Sequence, residues 1–202
     1  TIHLGHHYLE AAGSLGVQAE LLDVREAKSS IPFLDKIAWR LREKRPARLP
    51  RFQRQVLSTF TRFRPRLVLF LGNNFVERDL LQALKVAGAT TGVFLSDNPW
   101  NPLHRTSWFL ESLPLYDFVF NPRSEVESRL VTAGCAQVHR VAFGYSPSLH
   151  FPVVLNAEEQ PQYASDLLFF GGADADRIPY LDALIRAGIR PRLYGGYWDQ
   201  HP

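Results

Sequence analysis

The sequence predicts an α/β fold in which a parallel sheet is covered by helices on both faces, and three observations carry that prediction. Uninterrupted apolar runs such as Arg66-Leu-Val-Leu-Phe-Leu71 and Thr91-Gly-Val-Phe-Leu95 suit strands buried on both sides. Segments with helical apolar spacing lie between these runs. The connections are short and rich in Gly, Asn and Pro, as repeated β-turn-α units require.

Taken in order, Leu9, Ala12 and Leu15 recur at near-helical spacing, and Gly16 supplies a C-terminal stop. Ala19-Glu-Leu-Leu-Asp-Val24 reads as a strand. Phe33, Leu34, Ile37, Ala38 and Leu41 mark one face of a helix that Pro46 and Pro50 close off. A second helix turns Phe52, Val56, Phe60 and Phe63 inward and ends before Pro65, and the outer faces of both carry arginines. The strand over 66–71 then passes through Gly72-Asn-Asn74 into a helix over 76–87, ended by Gly88.

The strand over 91–95 stops abruptly in Ser96-Asp-Asn-Pro-Trp-Asn-Pro102, whose polar turn residues and prolines force a loop. In open α/β sheets ligands bind at such carboxyl ends of strands. A helix through Trp108 and Leu110, a strand over 116–120, a helix over 124–133 and a strand over 138–143 complete a Rossmann-like unit. From Gly144 to Pro161 there is almost no regular pattern, which suggests a crossing between domains. A strand over 166–170, the turn Gly171-Gly172, a helix over 178–187 and a strand over 190–194 open a second Rossmann-like unit. The expected organisation is a first domain at 1–150, a linker at 151–165 and an incomplete second domain at 166–202.

Composition bounds the function. The 202 residues are 46% hydrophobic and 21% charged, as in an ordinary soluble globular protein. No apolar run approaches the roughly 18 residues of a membrane helix, and the first residues lack a signal peptide's basic start and apolar core, so a cytoplasmic location is expected. Cys135 is the single cysteine, which excludes an intramolecular disulfide and a thiolate metal cluster. The absence of methionine, the opening on Thr1-Ile-His-Leu-Gly5 and the stop soon after Tyr194-Gly-Gly-Tyr-Trp198 read as a fragment, with a first strand upstream.

The formal net charge is only +3, yet eleven Lys or Arg residues fall between Lys36 and Arg66 against one acid, Glu43. Such a run is ordinarily a solvated pair of helix faces. Its functional alternative is weak docking on an anionic surface, either membrane lipid or a charged acceptor. Nucleic acid is disfavoured because Trp39, Phe52, Phe60 and Phe63 suit a core better than a base-stacking platform.

Several of these stretches resemble the CgeB-type (spore maturation protein) glycosyltransferases. They are Ser96-Asp-Asn-Pro-Trp-Asn-Pro102, Leu115-Tyr-Asp-Phe-Val-Phe120, Phe143-Gly-Tyr-Ser-Pro147 with His150 and Pro152, and residues 166–172. The likeness keeps the same order from Gly5-His-His-Tyr-Leu9 to Gly195. It implies the GT-B architecture, two facing Rossmann-like domains of which the first receives the acceptor and the second holds the nucleotide-sugar. It also implies a first domain complete but for its leading strand, only the opening βαβ of the second, and no turnover by the isolated chain. No cofactor is expected beyond the nucleotide-sugar co-substrate, and the acceptor is not identified.

Candidate residues follow, each with its plainer reading. Gly171-Gly172, between a strand and a helix, can let backbone N–H groups approach a diphosphate, or is simply a tight turn. Asp174-Ala-Asp176 has the look of a metal-binding pair, but acids before a helix are better read as caps, and no metal is expected. Gly5, His6 and His7 open the first helix, which faces the cleft in the architecture implied by the resemblance. Either histidine there can serve as a general base or be an ordinary helix-start residue, while zinc ligation by His3, His6 and His7 is only partial by spacing. Asp97 is the other candidate base, or else an Asx-turn residue holding Asn98-Pro99.

Asn98 belongs to the same loop, Trp100 can stack on a sugar ring or plug the gap between loop and sheet, and Gly144 and Tyr145 at the crossing carry the same ambiguity. Arg123 can pair a phosphate or be solvated. In this reading the loop at 96–100 forms the acceptor-side wall of a cleft and Gly171-Gly172 the donor-side wall. The rival is a non-catalytic Rossmann-like ligand-binding module. A response-regulator-like or periplasmic-type binder is the weakest reading, lacking a phosphoacceptor context and a signal peptide.

Overall fold

The structure, a computed structural model, describes residues 4–72, 76–102 and 105–200, apart from the side chains at 32 and 34. It divides into two compact units, Thr1–Ser146 and Pro147–Pro202. The turn expected at Asn73 and Asn74 lies outside the described residues.

The first unit begins with α1 (Leu4–Ser14), which Gly16 ends with φ +69°. A short 3-10 turn, Val24–Ala27, precedes α2 (Pro32–Leu41) and α3 (Leu49–Phe63). Four parallel strands follow, β1 (Leu67–Leu71), β2 (Thr90–Phe94), β3 (Phe118–Asn121) and β4 (Val138–Arg140), lying side by side in that order. Between them run α4 (Arg78–Val86), α5 (Ser107–Ser112) and α6 (Glu127–Thr132). This is the α/β arrangement with helices on both faces that the apolar runs predict.

The alternation of side chains along the strands sorts the two faces. Val68, Phe70, Val93, Val119 and Val138 point to the main core, where they meet Leu80, Leu81 and Leu84 of α4, Trp108 and Phe109 of α5, and Leu130 of α6. Burying each such side chain fully is worth about 1.5–3 kcal/mol, which is why these runs override weak local propensities. The other face is aromatic: Phe118 stacks on Phe120 at 6.1 Å and Phe120 on His139 at 5.7 Å. Tyr8 of α1 comes to 6.2 Å from Phe94 on that same face. Gly92 lies beneath this row, and a Cβ there would stand 3.3 Å from Leu69 and 3.4 Å from Phe120.

Three expectations are corrected. Residues 17–23 form no strand; Asp23 instead accepts the Arg25 N–H at 2.9 Å and caps the 3-10 turn, while Leu22 and Val24 pack on the core. A strand needs a partner, and among the described residues none pairs with this stretch. The face of α2 that carries Phe33, Ile37 and Leu41 is turned to solvent, and Trp39 is exposed as well, whereas Ala38 is buried. Asp35 explains the orientation, because its carboxylate accepts the N–H groups of Ser29 at 2.8 Å and Ala47 at 3.3 Å. Finally, β4 ends at Arg140, although the Val141 N–H still reaches the Asn121 carbonyl at 2.9 Å.

The turn after α2 anchors the loop that follows β2. Glu43 accepts the Ser107 N–H and, at 2.7 Å, the Ser107 hydroxyl, and these bonds hold its carboxyl below the usual carboxylate range. Lys44 Nζ donates to the carbonyls of Pro102 and Arg105, each at 3.2 Å.

The second unit contains α7 (Gln160–Tyr163), β5 (Leu167–Phe170), α8 (Ile178–Arg186) and β6 (Pro191–Tyr194). The two strands are parallel, with Phe170 opposite Tyr194, and Leu181 of α8 is buried. Among the described residues no helix is long and apolar enough to cross a membrane.

Candidate functional site

The carboxyl edge of the four-stranded sheet gathers the polar groups of the first unit. Leu71 pairs with Phe94, Phe94 with Phe120 and Asn121 with Arg140, so the chain leaves all four strands at one level. The exits span about 15 Å, three strand spacings. Gly72 turns away from β1 with φ +80° while its N–H reaches the Phe94 carbonyl at 2.7 Å, and a Cβ on it would touch Ser96 Oγ at 3.4 Å. The Gly72 turn and the Ser96–Asp97 corner are therefore immediate neighbours.

Asp97 is exposed at this corner, and the Ser96 hydroxyl donates to its Oδ2 at 2.9 Å. The Asx turn is made one residue later: Asn98 Oδ1 accepts the Trp100 N–H at 2.9 Å. Local turn chemistry thus occupies Asn98 and leaves the Asp97 carboxylate directed at solvent with one fixed donor. Trp100 packs against the core, and the Arg129 guanidinium sits 4.4 Å from its ring centroid, an arrangement that occupies one aromatic face.

At the end of β3, Asn121 is fully buried and its Oδ1 accepts the Arg123 N–H at 2.9 Å. Its Nδ2 and the Nε of Arg123 are buried with no hydrogen-bond partner among the described residues, while Arg123 Nη1 lies 3.7 Å from Glu125. Two unsatisfied donors at one strand end are a place where a water or an anionic oxygen gains hydrogen bonds. Sequence reasoning named Arg123 but missed Asn121. The signal was there, since an apolar run broken by Asn121-Pro122 is a strand end with a polar residue at the ligand-facing edge.

Gly5 is buried on α1, His6 is exposed, and His7 lies 3.9 Å from Glu10, an ion pair whenever the imidazole is protonated. His3 lies outside the described residues. Tyr8, one residue on, contacts the last residue of β2, so the structure brings α1 to the strand whose end carries Asp97. Gly144 stands in open space and Tyr145 is exposed.

The turn in the second unit is more tightly committed than its glycines suggest. Gly171 N–H donates to Tyr194 at 2.7 Å and Ala173 N–H to Gly196 at 2.9 Å, which leaves the N–H of Gly172 between them. The carbonyl of Gly171 accepts Trp198 Nε1 at 2.8 Å, and that of Gly172 accepts Arg177 Nη1 at 2.7 Å. Asp174 Oδ1 accepts the Arg177 N–H at 3.0 Å in the turn ahead of α8, whose N-cap residue, Arg177, has no side-chain capping bond; Asp174 Oδ2 pairs with Arg177 Nη1 at 3.1 Å, and Asp176 is exposed. Among the described residues no three His, Cys, Asp or Glu side chains cluster as a metal site. The N–H of Gly172 is what this turn offers an anion, since the Arg177 guanidinium is already paired with Asp174 at 3.1 Å.

No family model matches the sequence, and no curated protein matches it. Among solved structures the chain is similar to an S. aureus MnaA–UDP co-structure, with a TM-score of 0.50 and 10% identity, over 91% of this chain and 50% of that one. The chain therefore spans about half the length of that structure. At this identity the likeness speaks for the fold, and it agrees with the strand order and helix placement in assigning a Rossmann-like α/β fold.

Proposed function

We propose that the chain is part of a glycosyltransferase of GT-B type that moves a sugar from a nucleotide-sugar to an acceptor hydroxyl. The observation that carries the proposal is Asp97, an exposed carboxylate at the carboxyl edge of a parallel sheet, steadied by Ser96 beside the Gly72 turn. Two further points support it. The CgeB-type resemblance runs through this same loop, and the solved structure of similar fold is a co-structure with UDP.

In this reading residues 1–150 form the acceptor-side domain, 151–165 a linker and 166–202 the start of the donor-binding domain. Asp97, or His6 or His7 on α1, takes the proton from the acceptor hydroxyl as its oxygen bonds to the anomeric carbon. The bond from that carbon to the diphosphate breaks, and the nucleoside diphosphate leaves with the electron pair. The Gly172 N–H donates to one of its phosphate oxygens. Gly5, Asn98, Trp100, Arg123, Gly144 and Tyr145 are proposed to shape the sites around substrate, Asn98 by fixing the loop and Arg123 by its buried donor.

The test is calorimetric titration of the full-length gene product with UDP and UDP-sugars, followed by turnover measurements. Binding of UDP is expected, and Asp97→Asn should lower kcat by about tenfold or more while leaving UDP affinity unchanged. Failure to bind any nucleoside diphosphate or its sugars removes the proposal; unchanged turnover in Asp97→Asn removes Asp97 as the base.

A further inference from the structure

The amphipathic helix α2 is mounted the wrong way round for a core element. Phe33, Ile37 and Leu41 follow one another at four-residue steps and form one stripe, yet they are 67%, 39% and 80% exposed. What faces the protein is the other side, with Ala38 buried and Asp35 bonded to the backbone of Ser29 and Ala47. Those bonds engage the only acid on the helix. Lys36 and Arg40, one turn apart, lie about 80° to the side of the stripe. Both are exposed, as is Arg42, and among the described residues none of the three has an acidic partner.

A hollow of about 750 Å³ runs along this helix, lined by Phe33, Asp35, Lys36, Ile37, Trp39 and Arg40 and by Lys28 from the preceding loop. Apolar and aromatic side chains in its lining, with three cations beside them and one carboxylate, Asp35, whose oxygens take backbone N–H groups, match one kind of partner. The chemistry is that of a lipid surface bearing anionic headgroups: acyl chains take the stripe, and phosphates take the ammonium and guanidinium groups, whose long stems let them reach the headgroup layer. A second copy of this chain would bring the same cations against these, and an acidic protein would leave the apolar stripe without a purpose.

We propose that α2 is a membrane-docking helix that seats the first unit on an anionic lipid surface through Phe33, Ile37 and Leu41, with Lys36 and Arg40 reading the headgroup charge. This contact is independent of the sugar-transfer proposal and stands or falls separately.

Vesicle flotation tests it, using phosphatidylcholine vesicles with and without phosphatidylglycerol. The protein should float with the anionic vesicles, stay behind with the neutral ones, and be released as salt is raised. Phe33→Ser with Leu41→Ser, and separately Lys36→Ser with Arg40→Ser, should each weaken binding by roughly tenfold or more. Because these side chains are exposed, both variants should keep the parent's near-ultraviolet circular dichroism and melting temperature. Arg51→Ser with Arg54→Ser removes the same charge from exposed positions on α3 and should leave binding within about twofold. The proposal is overturned by equal binding to both vesicle types or to neither. It is likewise overturned if the Arg51/Arg54 variant loses as much as the Lys36/Arg40 variant, or if the serine pair on the stripe dissolves a dimer instead of releasing vesicles.

Discussion

The α-carbon of Gly195 lies against the carbonyl of Gly171, so close that a methyl group there would run into that oxygen. The backbone at Gly195 has φ +147°, outside the range that side chains accept. Two constraints, one conformational and one steric, coincide at the point where β6 ends beside the turn that follows β5. Gly195→Ala should therefore destabilise the second unit by about 2–5 kcal/mol. The neighbouring Gly196, whose added Cβ would meet nothing within 4 Å, should accept alanine within about 1 kcal/mol. Urea unfolding followed by tryptophan fluorescence, with Trp198 bonded to Gly171 as the local reporter, distinguishes the two.

Tyr116 gives a prediction of opposite sign. Its ring is buried and meets Phe70 edge-on at 5.7 Å, but its hydroxyl is buried without a hydrogen-bond partner among the described residues. Desolvation pushes the phenol's pKa far up, so the group stays neutral. An unmet hydroxyl costs about 1–3 kcal/mol when buried, and removing it keeps the ring contacts. Tyr116→Phe should leave stability unchanged or raise it by about 1 kcal/mol, measurable as a higher urea midpoint at constant slope. A loss larger than that would mean the hydroxyl has found a partner in solution.

Cys135 should be inert in the folded chain. Burial pushes its thiol up to about 11, whereas an unfolded chain titrates near the ordinary value of roughly 8.5. A group raised on folding adds stability that is fully present below the unfolded value and lost as pH rises through the folded one. Stability should thus decline between about pH 8.5 and 11, and Cys135→Ala should flatten that part of the curve. In the same window a thiol-specific disulfide reagent should label the native protein far more slowly than the urea-unfolded chain. Rapid stoichiometric labelling at neutral pH would contradict the burial.

The parts of the fold that could be read in advance are those where local pattern and tertiary demand agree. β1, β2 and β3 are apolar runs that send Val68, Phe70, Val93 and Val119 to the core, and α3 and α4 carry single stripes that reach it. Residues 17–23 show the limit: their apolar content suits a strand, but a strand exists through its neighbour, and the Asp23 cap is satisfied without one. For α2 the stripe was legible and its direction was not, because Asp35 and its backbone partners fix the rotation of the helix from outside the helix itself. At the candidate site the turn chemistry after β2 was readable, while its division between Asp97 and Asn98 was not. Asn121 escaped notice because a single amide becomes informative only once its burial and its unpaired Nδ2 are known.

The order β1-β2-β3-β4 also bears on how the first unit acquires its shape. Each strand pairs with the one just before it in the chain, so no strand must wait for a distant segment before it has an edge to join. Loop closure is correspondingly cheap at every step. Such a sheet can grow by accretion from its first strand as the chain leaves the ribosome, and β4, the shortest strand and the last to arrive, should be the first to fray.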